Sequence, residues 1–403
     1  MLNIDEIRKQ FPSLSLKDNN GNRIIYLDGP GGTQVPNMVI EGISNYYKKC
    51  NANTHGEFNT SKETDILMNS LRDKASIFLG AENKKCISLG HNMTTLNFSL
   101  ARGLSKLFKK GDEVIITDLD HEANRGPWKT LVEKGIKIIK INILENGVLD
   151  YEDFKNKIND NTVMIAMGMS SNAIGTVNDF YKIKKIIENK DILFLLDAVH
   201  YAPHFPIDVK KIGCDILLCS AYKFYGPHIG VLYCKLNLLD KLETDRLIVQ
   251  DQKAPYRIET GTLNHAACHG VEKAIDFIAS LGTGNSYRDK INDAYGKLGK
   301  HENKLASYLY NSLSSIKNIE VIGPDFSNLR SPTVSFVHKN KSANEVCKLL
   351  GKKNICAWDG HFYAIKAIQK LGLEEHGGVT RLGVSVYNKK EEIENTIKVI
   401  SQI

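Results

Sequence analysis

Between about residues 60 and 235 the chain alternates two textures. One has apolar residues three and four apart, as in Ile66, Leu67, Leu71, Ala75 and Phe78, and reads as amphipathic helix. The spacing of Thr60 and Glu63 predicts a capping box at the start of that helix, and Gly80 its stop. The other texture is a series of short apolar runs at 85–90, 113–118, 137–142, 163–169, 192–198, 216–221 and 230–234. Most are continuous rather than alternating, the pattern of strands buried on both faces of a largely parallel sheet. The helical segments NFSLARGLSKLFKK and DFYKIKKIIEN fit crossovers, so the fold class predicted is α/β with a three-layer large domain. Only YKFYGPHIG separates the last two runs. That is too short for a helical crossover, and one of the pair is predicted to lie antiparallel to its neighbour.

After about residue 265 the pattern changes. A long polar-amphipathic helix is expected over roughly 284–315, then a strand at SPTVSFVHK, a helix around SANEVCKLLGKK and a strand-like RLGVSVY. A last helix is expected to begin at Asn388, with Glu391 three residues on. This part reads as a smaller α+β domain.

The 403 residues suit a two-domain enzyme, and 42% apolar with 25% charged residues excludes a disordered or collagen-like chain. The net charge of +7 is spread without a long basic run, so neither a nucleic-acid nor a membrane partner is signalled. No run is long enough to span a bilayer, and MLNIDEIRKQ has acidic residues where a secretory signal has an apolar core. A cytoplasmic location is expected. The eight cysteines form no CxxC pair and read as reduced, mostly buried thiols. His265 and His269, and His200 and His204, have i,i+4 spacing without a third ligand at a telling distance; no metal is expected.

In an open α/β sheet, ligands gather at the carboxyl ends of the strands. Those ends carry His121 and Asn124, then Ser170, Ser171 and Asn172, then Asp197 and His200, then Ser220, Tyr222 and Lys223. The run 85–90 leads into HNMTTLN, which opens a helix with free amides and hydroxyls, a natural phosphate site. DGPGG at 28–32 reads as a tight turn. Singly, each has an ordinary explanation: Lys223 a solvated loop lysine, Asp197 a helix cap, Asn172 a turn residue. Together they meet the needs of pyridoxal phosphate, which requires a lysine amine for a Schiff base, a carboxylate for its ring nitrogen, a flat group over the ring and a phosphate cradle.

These residues also carry a resemblance. YLDGPGG (26–32), NANTHG (51–56), DHEANRGPW (120–128), SSNAIGT (170–176), DAVHYAPHFPIDV (197–209), SAYKFYGP (220–227), ETGTLN (259–264) and RLGVSVYN (381–388) resemble the class V aminotransferase family of fold-type I pyridoxal phosphate enzymes. The likeness is greatest to its cysteine desulfurase and selenocysteine lyase branch. It implies a seven-stranded, mostly parallel sheet in a large domain (26–265), a linker helix (266–290) and a small C-terminal domain (291–403) joined by the N-terminal segment (1–25). It further implies that Lys223 forms the Schiff base, Asp197 pairs with the ring nitrogen and His121 stacks on the ring. Asn172 and His200 would lie near the ring hydroxyl, although the family usually has glutamine at His200. Phosphate contacts would come from Asn92, Met93, Thr94, Ser220, Tyr222 (histidine in most members) and Thr262 of the partner subunit, in a homodimer. Arg381 would clamp an amino-acid carboxylate, with His55 on the substrate side.

The chain departs from this branch at ICAWDGHFYA (355–364). Desulfurases carry Gly-His-His-Cys-Ala where this chain has Gly360, His361, Phe362, Tyr363 and Ala364, and a phenol cannot hold a persulfide. Cys356, seven residues upstream, reads as a core residue. Trp358 stands where many members have arginine, giving a more apolar pocket. The resemblance therefore implies C–S or C–Se cleavage of cysteine or a derivative without the cysteine relay, with Tyr363 or His361 as proton donor. Aminotransfer, epimerisation and a non-catalytic cofactor-binding role are the alternatives.

Overall fold

The computed structural model describes residues 2–403. Among them thirteen strands form three sheets. In chain order these are β1 (Ile25–Tyr26), β2 (Ile87–Gly90), β3 (Glu113–Thr117), β4 (Lys137–Ile141), β5 (Thr162–Gly168), β6 (Leu193–Asp197), β7 (Ile216–Ser220), β8 (Gly230–Cys234), β9 (Ile319–Ile322), β10 (Thr333–His338), β11 (Ile355–Cys356), β12 (Trp358–Gly360) and β13 (Val379–Gly383).

The large sheet has the order β2-β8-β7-β6-β5-β3-β4. β8 runs antiparallel to both β2 and β7, as the short connection between the last two runs requires, and the other pairs are parallel. Strands β3 and β5 to β8 are buried along nearly all their length, in keeping with helices on both faces. β4 corrects the doubly buried reading of run 137–142. It is an edge strand whose Lys137 and Lys140 are exposed, and charge there blunts pairing with other chains. From β3 the chain passes to the edge at β4, then returns to the other side of β3 as β5. That reversal opens a crevice at the carboxyl ends of β3 and β5.

The second sheet, β12-β13-β10-β9, is antiparallel. Its own apolar cluster joins Leu309, Leu313, Val334, Phe336, Leu350 and Ile393. β1 and β11 pair in parallel, so residues 25–26 lie beside 355–356. The first helix, Ile4–Lys9, is held to the C-terminal part by an ion pair from Arg8 to Glu392 at 2.8 Å. The span 266–290 holds most of the helix His265–Ser280, a break through Gly282 and Gly284, and the start of Tyr287–Ser314.

Helix ends show where local spacing misleads. Gly80 ends Asn59–Leu79 in the left-handed conformation, as expected, but Thr60 lies inside the helix and Phe58 precedes it without a side-chain cap. The last helix is Lys390–Ile400, its cap at Lys389 and not Asn388, with the Glu392 carboxylate taking the Lys389 amide at 3.0 Å. Asn388 is instead buried, donating to the Tyr26 carbonyl at 2.9 Å and accepting from the Ser385 amide at 2.8 Å. Among the described residues no helix is long and apolar enough to cross a membrane.

Candidate active site

Lys223 closes a single 3-10 turn directly after β7, so its side chain starts at the carboxyl edge of the sheet. It is 8% exposed, and its Nζ donates to the carbonyl of Pro30. The DGPGG turn is thus a wall of the site, which its sequence did not announce. Burial first, and then the positive charge of Arg381, lower the Lys223 amine to about 7; Asp197 opposes them. Asp197 ends β6, and its Oδ1 accepts from the Val199 amide at 2.9 Å. Burial, with the nearby Asp120 charge adding to it, raises this carboxyl to about 7. Asp120 is itself held by the Gly168 amide (2.9 Å) and Asn124 (3.0 Å), so Asn124 supports the frame from beneath.

His121 follows β3. Its Nδ1 accepts from the Ala123 amide at 2.9 Å, which places the ring proton on Nε2. Burial, then the charges of Lys223 and Arg381, lower it to about 4, so the ring is neutral. His200 lies buried beyond β6, its Nε2 2.9 Å from Thr333 Oγ1 and 3.2 Å from Ser331 Oγ. Both hydroxyl partners come from the C-terminal part of the chain, and sequence spacing had no way of naming them.

The C-terminal wall is a set of linked contacts. Arg381, on β13 opposite Trp358 of β12, is only 3% exposed and is lowered to about 9 by burial. Its Nη1 donates to the Asn172 carbonyl at 2.9 Å, and its Cζ lies 3.7 Å from the Phe362 ring centroid. Asn172 also reaches the other way, its Nδ2 donating to the Phe362 carbonyl at 2.9 Å. The loop after β12 turns through left-handed Phe362 (φ 49°) and Tyr363 (φ 60°). The Glu122 amide donates to the Tyr363 carbonyl at 2.8 Å, and the Tyr363 amide to His361 Nδ1 at 3.0 Å. The Tyr363 ring, 65% exposed, sits 5.2 Å from that of His121. Trp358 is 53% exposed and its indole closes on Gly31, where a Cβ would come within 2.7 Å of Nε1.

At the other end, Asn92 caps the helix Met93–Leu104 by accepting from the Thr95 amide at 2.9 Å. Ser220 Oγ accepts the Met93 amide at 3.0 Å, which ties β7 to this turn. Gly230 lets β8 approach it, since a Cβ there would fall 2.5 Å from the Asn92 carbonyl carbon. The Tyr222 ring stacks on His228 with centroids 4.6 Å apart. Thr262 is exposed. His55 is exposed as well, and its ring pairs with Asp65 at 3.3 Å rather than with any crevice residue.

The family model described as Aminotransferase class-V matches residues 25–396. The chain belongs to this family. A probable cysteine desulfurase of Borreliella burgdorferi is 31% identical, over 98% of this chain and 96% of its own length. A cysteine desulfurase of Wigglesworthia glossinidia brevipalpis is likewise 31% identical, over 99% and 97%. Among solved structures, an apo cysteine desulfurase from Thermococcus onnurineus NA1 superposes with a TM-score of 0.87 at 27% identity, covering 100% of this chain and 98% of that one. A cysteine desulfurase from Escherichia coli gives the same TM-score of 0.87 at 23% identity, over 100% and 98%, and speaks to the fold alone.

As a class V member the protein is a pyridoxal phosphate-dependent enzyme, and its own residues fit that cofactor. Among the described residues the Lys223 amine bonds to no carboxylate, and no cation bonds to the buried Asp197. Buried polar atoms without a partner stand just past β5 and β6, at Ser170 Oγ and His200 Nδ1, and on the C-terminal side at Asp28 Oδ1 and Arg381 Nε. An undisturbed core seldom keeps such atoms unpaired, whereas a site awaiting a polar ligand does. The sequence did not single out Asp28 or Phe362; the one signal available was that Phe362 sits in the loop where the chain departs from its relatives.

Proposed function

We propose that this class V enzyme cleaves the C–S or C–Se bond of cysteine or a cysteine derivative, in the cytoplasm, without carrying a persulfide on residue 363. The observation behind this reading is the loop after β12. It brings a phenol, where a desulfurase thiol would stand, to 5.2 Å from the His121 ring. The relatives named as cysteine desulfurases support the substrate class.

The cofactor, when bound, supplies an electron-withdrawing ring that stabilises negative charge on the substrate α-carbon. Asp197 would hold the ring nitrogen, His121 one face of the ring, and His200 the hydroxyl side. The Thr94 amide, with Thr262 of the partner subunit in a homodimer, would hold the phosphate. Arg381 binds the α-carboxylate. Lys223 Nζ, whose amine burial and the Arg381 charge lower to about 7, takes the α-proton. Tyr363 or His361 protonates the departing sulfur. With cysteine the balance is one water consumed, and one pyruvate, one ammonia and one hydrogen sulfide released. Trp358 faces the substrate side and favours an apolar substituent on sulfur.

The test is holoenzyme with L-cysteine, cystine, cysteine S-conjugates and common amino acids, assayed for sulfide, pyruvate, keto acid and racemised product. Sulfide or thiol released with pyruvate in equal amounts is expected. A keto acid that forms only with an acceptor, or racemised product, without sulfur release overturns the lyase reading. A visible cofactor band that never responds to any amino acid favours the non-catalytic alternative. Tyr363→Cys is informative too: a protein-bound persulfide formed with release of alanine instead of pyruvate would show that the rest of a desulfurase site survives.

A further inference from the structure

Arg381 is a buried cation whose hydrogen bonds are incomplete. Nη1 is committed to the Asn172 carbonyl, and Nε is buried without a partner. The edge left for a carboxylate is the one formed by Nε and Nη2, a side-on fork that takes two oxygens in the guanidinium plane. What lies above that plane is Phe362. At 3.7 Å from the ring centroid, the Arg381 carbon can only be over the ring face, since an in-plane approach at that distance would collide with the ring atoms.

The geometry points to Phe362 as the residue that sets specificity for a free α-carboxylate. This rests on the reading that Arg381 takes that carboxylate. Three features support it. The ring face keeps water off one side of the guanidinium and stabilises its charge, so the charge survives burial in the absence of a bonded acid. Phe362 holds a left-handed backbone (φ 49°), followed by a second left-handed residue, Tyr363 (φ 60°), conformations that non-glycine residues adopt only when their surroundings impose them. The hold comes from Asn172, whose side-chain amide fixes the Phe362 carbonyl at 2.9 Å while its backbone carbonyl fixes Arg381 Nη1 at 2.9 Å. One residue thus locks lid and cation together and leaves Nε without a bonded partner. Phe362 touches the cation and not the bond that breaks, so it acts on binding rather than on the chemical step.

The experiment uses holoenzyme with Phe362→Ala, Phe362→Leu and Phe362→Tyr. One measurement is calorimetric binding of propionate, which carries the carboxylate and no amine. The other is KM and kcat for the substrate amino acid beside its methyl ester. In Phe362→Ala, the propionate Kd and the amino-acid KM are expected to rise about tenfold, the loss of a partly desolvated cation–π contact. The kcat should stay within about twofold of the parent, the ester KM should not move, and Phe362→Tyr should restore binding. Phe362→Leu keeps the apolar bulk without the π face and should weaken propionate several-fold, which covers the case in which the alanine variant fails to fold. Unchanged propionate binding in a folded variant, an equal rise for the ester, or a fall in kcat at constant KM overturns the assignment. Should the parent turn over no sulfur substrate, the propionate result still stands. Should the parent not bind propionate, the Arg381 reading fails and this one with it.

Discussion

Two regions of the molecule bury charge at the margins of the same sheet, with opposite results. Beside β2, Arg72 and Glu259 have side chains 2% and 6% exposed and meet through two parallel bonds of 2.7 Å each. The Ile87 carbonyl and the Leu89 amide, also at 2.7 Å, take further bonding capacity, and the Tyr256 ring lies 5.0 Å from the guanidinium carbon. Burial pushes the Arg72 guanidinium down, but the charge and hydrogen bonds of Glu259 outweigh it, and the net shift is upward. In the crevice, Lys223 and Arg381 are about as well buried, yet neither bonds to an acid, and both are lowered. Burial is common to the two places. Pairing separates them: Arg72 has an acid bonded along its whole edge, and the two cations of the crevice have none.

The comparison can be broken or sharpened by experiment. The largest effect is expected for Lys223→Ala, which should abolish the visible band of the lysine-linked cofactor and lower turnover roughly a thousandfold or more, read by absorbance and product assay. Glu259→Ala leaves Arg72 buried and alone, and should cost about 3–5 kcal/mol in denaturant melts of the cofactor-free protein. Replacing both, as Arg72→Met with Glu259→Leu, should cost much less than the single change. Were the double variant as unstable as the sum of its parts, the pair would not be the self-contained unit described above.

Smaller effects follow the proton. In cofactor-free protein, labelling of Lys223 by an amine reagent should have its midpoint near pH 7, about the value its burial gives it. Asp197→Asn should move that midpoint lower, because the carboxylate is the group opposing the downward shift. A midpoint near the ordinary lysine value would refute the picture of a desolvated amine. The same shift is a statement about stability. Because the folded value lies below the unfolded value of 10.5, the unfolded chain holds more protons between about 7 and 10.5. The contribution of Lys223 to stability therefore rises with pH across that window. Accordingly Lys223→Met should raise the melting temperature of the cofactor-free protein more at pH 6 than at pH 10.

Lys223, Asp197 and His121 could be picked out because they stand at or just beyond the ends of apolar runs, and parallel strands align those ends along one edge. The resemblance put Asn172 near the ring hydroxyl; in the structure its side chain bonds Phe362 and its backbone carbonyl bonds Arg381. Ser220 and Asn92 are at the expected turn, with their oxygens already bonded to the Met93 and Thr95 amides. His55 and Thr262 came from the resemblance alone, and within this chain both face outward. Gly80 was readable as a stop because left-handed backbone is a local property of glycine, whereas Thr60 shared a spacing with caps without being at a helix start.

The amino-acid order by itself determined what depends on near neighbours: the alternation of strand and helix, an antiparallel strand among the last two runs, and which residues stand at strand ends. Only the tertiary structure decided that the Pro30 carbonyl meets Lys223, that Thr333 and Ser331 hold His200, and that Phe362 covers Arg381. The reason is one of range. Periodicity and turn chemistry act over a few residues. Desolvation and the sharing of hydrogen-bond partners instead depend on which distant segments close around a group, and here Arg381 and Asn172 lie 209 positions apart in the chain.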